Sequence, residues 1–199
     1  MMQRICLMIL AMFLAACGRA PQVPTDHYYR LTPLAESTGK QRLTEEPISV
    51  EDFLAEGLYN DRAMLYSSDE NASELQQHHY YFWYTSPPHM LRDYLLQMLR
   101  DADVSPMIMD LRTGENPSIS GKVLEFERRN TRGGATVNVA LELRVDNPGS
   151  ELPLLLRQYR ASENVNDKEM TAVVSGFNIA VDRIYREFFE DLATALNTP

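Results

Sequence analysis

Val137, Val139, Leu141, Leu143 and Val145 alternate without a break with Thr136, Asn138, Ala140, Glu142 and Arg144. Extended backbone sends successive side chains to opposite faces. The stretch is therefore a strand with one apolar and one polar face, which belongs in an antiparallel sheet covered on one side. Its neighbours extend the pattern. In residues 117–130, Leu124 and Phe126 oppose Glu125 and Glu127, and Gly133-Gly134 follows as a turn. Asn147-Pro148-Gly149 is turn chemistry, and residues 152–165 resume with Tyr159 facing inward. A meander of three long strands is the best-supported tertiary element.

An apolar sheet face needs a cover, and two amphipathic helices supply it. Ser86 suits an N-cap and Pro87 the first helical position. Leu91, Tyr94, Leu95, Met98 and Leu99 then recur at helical spacing through 87–103. From Thr171 to about Leu196, Val173, Phe177, Val181, Ile184, Phe188, Leu192 and Ala195 form a stripe, while Asp182, Arg183, Arg186, Glu187 and Glu190 point elsewhere. Four shorter strands are expected upstream: Tyr28–Leu34, Ile48–Phe53, Ala63–Ser68 and the aromatic His78–Tyr84. No internal repeat or composition break divides the chain. The expectation is one α+β domain over 28–199, a mixed or antiparallel sheet with two amphipathic helices packed on one face.

The N-terminus has a different character. Arg4 precedes an apolar run of twelve residues, Ile5 to Ala16, too short for the roughly 20 residues of a membrane-spanning helix. It reads as the h-region of a signal peptide, residues 1–16. Leu14-Ala15-Ala16-Cys17-Gly18 matches the bacterial lipobox. Cleavage before Cys17 and acylation there, by chains such as palmitate, anchor the protein in a membrane, since two or more chains at about 0.8 kcal/mol per methylene hold stably. Residues 17–27 form the lipidated Cys and a short tether, and 28–199 a periplasmic domain. The second cysteine, Cys6, leaves with the signal, so no thiol remains for a disulfide, metal or nucleophile. Gly18 stands where an Asp would retain a lipoprotein at the inner membrane, pointing to the outer membrane, facing the periplasm.

Charge and motifs narrow the function. The sequence carries a formal net charge of −9, one unit more negative without Arg4, and no basic run; such a surface repels nucleic acid. His27, His78, His79 and His89 lack metal-ligand spacing, no serine-nucleophile motif is present, and the glycines of 133–134 make a hairpin rather than a phosphate loop. No catalytic residue, metal or cofactor is expected. The aromatic segment 78–84 places Tyr80, Phe82 and Tyr84 on one face and Tyr81 and Trp83 on the other. It is either a core strand or a contact surface for a partner, with Tyr81 and Trp83 as the candidate partner-binding residues.

The order of lipobox, residues 28–34, residues 48–53, Asn60-Asp61-Arg62 leading into a strand, an aromatic strand ending in Trp83, and a helix opened by Pro87 resembles the ABC-type transport auxiliary lipoproteins. Tyr29, Leu31, the Asp61-Arg62 pair and Trp83 carry the likeness most specifically. Tyr84 and Asn60 depart from it, standing where a small residue and a Leu are usual. The resemblance implies a non-enzymatic adaptor at the outer membrane. It would dock a protein with a mammalian-cell-entry (MCE) domain, driven by an ABC transporter that moves phospholipid or another hydrophobic cargo. Asp61 and Arg62 would pair with each other at a strand entrance. The alternative reading is an outer-membrane assembly lipoprotein that plugs or chaperones a β-barrel. Open strand edges also leave self-association into a homo-oligomer available.

Overall fold

The computed structural model describes residues 24–34, 40–68, 71–111, 114–166 and 169–197. The signal peptide, Cys17 and the first part of the tether lie outside the described residues. The strands are β1 (His27–Tyr29), β2 (Ile48–Val50), β3 (Leu54–Ala55), β4 (Ala63–Ser68), β5 (Asn71–Trp83), β6 (Ile108–Met109), β7 (Ser118–Asn130), β8 (Ala135–Asp146) and β9 (Leu155–Val165). The helices are α1 (Pro87–Asp101) and α2 (Met170–Asn197), with a 3-10 turn at Gly57–Asn60. The architecture is α+β with a mixed, curled sheet.

The centre of the sheet is β7. Along one edge β8 pairs with it antiparallel, from Ser118 opposite Asp146 to Asn130 opposite Ala135, and β9 continues the meander. Three short strands share the other edge, all parallel: β2 at Ser118–Ile119, β3 at Lys122–Val123 and β4 at Arg128–Asn130. One pass of chain is thus stitched to β7 in pieces. The strand expected over Ile48–Phe53 ends at Val50, and β3 follows Phe53 as a separate piece. Between them Phe53 turns inward and lies on Gly121, where an added Cβ would come within 2.7 Å of its ring.

The inward residues of β8 are nearly fully buried, with α2 across β8 and β9 and α1 against β7. Burying each such side chain stabilises the fold by about 1.5–3 kcal/mol. The helices meet through Tyr94 and Tyr185, whose rings are 5.6 Å apart, and the Tyr185 hydroxyl donates to the Leu91 carbonyl at 2.8 Å. Gly176 lets α2 approach closely, since a Cβ there would stand 2.8 Å from the Val165 side chain and 3.2 Å from Val137.

Three local expectations are corrected. The first strand stops at Tyr29 rather than Leu34, because the chain leaves the sheet and Thr32 N–H donates to the Asn178 side chain on α2 at 2.9 Å. The aromatic strand begins at Asn71 rather than His78, extended by its hairpin with β4. In β7 a register break between Val123 and Glu125 sets Leu124 aside, so Val123 and Phe126 face the core.

Candidate functional site

A wide bulge in β5 creates the candidate site. Ala63 lies opposite Phe82, but Leu65 lies opposite Gln77, so His78–Tyr81 arch out of the ladder with β4. On the far side β1 pairs with β5 only at Tyr81–Trp83, fixed by Tyr84 N–H donating to the Tyr29 carbonyl at 2.6 Å. The bulge gathers rings. His27 stacks on Tyr81 at 5.5 Å, His78 meets Tyr81 edge-on at 5.3 Å, and Tyr66 lies 4.5 Å from His78.

His27, Tyr29, His78 and Tyr81 line a cleft of about 400 Å³ together with Arg128, Glu169 and the first residues of α2, Met170 and Thr171. The volume is within the range of small-ligand and side-chain sites. Arg128 is half-buried, desolvation lowers its pKa, and its Nε is buried without an acceptor among the described residues. Burial, helped by the nearby Arg128 and His79, pushes His78 down to about 4. At neutral pH it is an uncharged imidazole, and its buried Nε2 has no partner among the described residues. An aromatic recess with a desolvated cation is suited to recognition.

The structure separates the two aromatic residues singled out from the sequence. Tyr81 lines the cleft, half-buried. Trp83 does not, and this corrects its expected role as a partner-binding residue. Only 1% of its surface is exposed, and its ring packs 5.2 Å from Phe126 and 5.1 Å from Phe177 in the core. The Asp61-Arg62 pairing is also corrected. Asp61 accepts from Gln77 at 3.1 Å, while Arg62 Nε donates to the Trp83 carbonyl and its guanidinium lies over the Tyr28 ring. Ser86 occupies the N-cap of α1, yet its hydroxyl bonds His89 Nδ1 rather than a backbone amide. Cys17, the expected lipidation site, lies outside the described residues.

A larger recess, about 710 Å³, opens on the other side of the sheet between Leu54, Leu111 and Leu156. Its basic groups are already satisfied: Lys122 pairs with Glu56 at 2.6 Å and Arg144 with Asp146 at 2.7 Å. With its cations neutralised, it holds no comparable group to select a ligand. Among the described residues no three His, Cys, Asp or Glu side chains gather as a metal site, and no helix is long and apolar enough to cross a membrane.

Sequence reasoning missed Arg128. It continues the alternation of Phe126 without a break, but the arch of β5 that opens a cleft beside it interrupts the pairing with β4 and has no local sequence pattern. The available signal is a cation continuing an apolar face at a strand end.

The model of the family described as ABC-type transport auxiliary lipoprotein component matches residues 29–188. No curated protein shows significant sequence similarity. A crystal structure of a Xanthomonas campestris protein superposes with a TM-score of 0.70 at 14% identity, over 85% of this chain and 96% of that one. A protein from Chlamydia trachomatis gives 0.53 at 7% identity, over 77% and 99%. At these identities the likeness is one of fold.

Proposed function

We infer the role from one premise: the chain belongs to the ABC-type transport auxiliary lipoprotein components. A transport auxiliary lipoprotein is a membrane-anchored periplasmic component rather than a member of an enzyme family. Our reading is that Cys17 carries the acyl chains, that the host membrane is the outer one, and that the domain docks an MCE-domain protein of the transport system. The observation that carries the docking is the Tyr81–Arg128 cleft, an aromatic recess with a desolvated cation in a chain whose family works alongside transporters. Tyr and Arg dominate the energetics of such contacts.

The tether strengthens the arrangement. Nine residues separate Cys17 from β1, and an extended chain covers at most about 3.3–3.6 Å per residue. The cleft, whose rim includes His27 of β1, is therefore held near the membrane, where a partner meets it at high effective concentration. Two experiments test the reading. Cys17→Ala is expected to release a folded domain from the membrane fraction; retention there contradicts the anchor. A photocrosslinker at Tyr81 is expected to capture an MCE-domain protein, and capture of a β-barrel instead would install the assembly-lipoprotein alternative.

A further inference from the structure

We propose that the cleft receives a single carboxylate on an extended acidic peptide segment of the protein partner, with Arg128 as the anchor and the open edge of β5 as the seat of the peptide backbone. The inference rests on the docking reading above and specifies its chemistry.

Arg128 is the arginine that lines the cleft, and like Arg30, Arg62, Arg100, Arg129 and Arg132 it has no ion-pair partner among the described residues, whereas seven others do. Arg42, Arg92, Arg144, Arg157, Arg160, Arg183 and Arg186 each lie within ion-pair distance of a carboxylate. Arg128 has no such carboxylate among the described residues, though burial makes an uncompensated charge costly there. A guanidinium offers a planar fork that grips a carboxylate through two hydrogen bonds. Tyr81, Tyr29 and His27 exclude water around that contact, which strengthens it.

Charge count favours a carboxylate over a phosphate. His78 is neutral at physiological pH, so among the described residues Arg128 is the one lysine or arginine cation at the lining, with Glu169 beside it. A dianion would leave excess negative charge beside Glu169. The sheet favours a peptide over a free small molecule. β5 runs from Asn71 to Trp83, yet β1 covers its outer edge only at Tyr81–Trp83. Along Asn71–Tyr80 that edge has no strand partner among the described residues, and it runs directly into the cleft. Exposed edges accept an added strand through backbone hydrogen bonds, and alternate side chains of that strand then point to one face.

The test uses the full chain in detergent micelles, titrated with acetyl-Thr-Val-Glu-Val-Thr-amide, with its Gln counterpart, and with inorganic phosphate, read by the ring resonances of His78 and Tyr81. The Glu peptide is expected to bind at least about tenfold more tightly than the Gln peptide, a difference of about 1.4 kcal/mol. Arg128→Gln should abolish the preference, and Arg30→Gln on the surface should preserve it. Equal binding of the two peptides, an unchanged preference in Arg128→Gln, no saturable binding of either at millimolar concentration, or tighter binding of phosphate overturns the proposal. Should Arg128→Gln fail to fold, the peptide pair on the unaltered protein and Arg128→Lys, which keeps the charge and loses the fork, decide in its place; Arg128→Lys is expected to weaken the preference. A partner captured at Tyr81 alongside equal peptide binding would overturn the carboxylate while leaving docking standing.

Discussion

Trp83 and His78 sit five residues apart in β5 and do opposite work. The Trp83 indole fills the space between Phe126 and Phe177, so Trp83→Ala should destabilise the domain by about 3–5 kcal/mol. A shift in the urea midpoint equivalent to less than about 1 kcal/mol would show that the ring is not a core element. His78 is held neutral, with its pKa lowered from 6.5 to about 4. The unfolded chain therefore binds more protons between those values, and stability from this group is complete above pH 6.5 and falls as pH drops toward 4. Because the ring is only partly buried, the loss is discounted to about 1 kcal/mol. His78→Gln should flatten that part of the melting-temperature profile, while an unchanged slope would place its origin elsewhere. Arg128, Tyr66, Tyr81 and His79 surround the ring, so the profile should also respond to Arg128→Gln.

At the scale of elements, α2 is the cover on which the sheet depends. It packs against β8 and β9, and Gly176 permits the approach. Gly176→Val would gain some helix propensity, up to about 1 kcal/mol, but force a branched side chain against Val165 and Val137 at an overpacking cost of about 1–3 kcal/mol. A net loss is expected, read as a lower melting temperature; a gain would mean the contact is loose. The helices and the β7–β9 meander are legible in the sequence because each has a period: spacings of three and four in Val173 to Leu192, alternation in Val137 to Val145. The bulges are not, because they interrupt that period. One at Leu124 brings Val123 rather than Leu124 onto the face of Phe126, and one at His78–Tyr81 opens the cleft. Tyr81 is reachable from aromatic composition alone and the face of Arg128 from alternation with Phe126, whereas their meeting depends on the β4–β7 pairing and the β5 bulge, which no local pattern specifies. Trp83, equally aromatic, belongs to the core because the ladder resumes there and returns it to the inward face.

For the whole molecule, short strands pairing far along the chain set the arrangement. β2, β3 and β4 hold β7 through two or three residues each, too little for a sequence pattern to announce, and together they bring Tyr66 beside Arg128. The result is a mixed sheet with its recognition cleft at the end nearest the N-terminal tether. Lipidation at Cys17 would make that geometry functional by confining the cleft to one membrane surface. Intact-mass measurement of the mature N-terminus should find acyl chains on Cys17, and an unmodified residue there would remove the anchor. The most direct test of the central claim is site-specific photocrosslinking from Tyr81 in the membrane-anchored protein, with Leu152 in the β8–β9 turn as the control position. The account predicts capture of an MCE-domain protein from Tyr81 and not from Leu152; equal capture from both positions, or none from Tyr81, would contradict it.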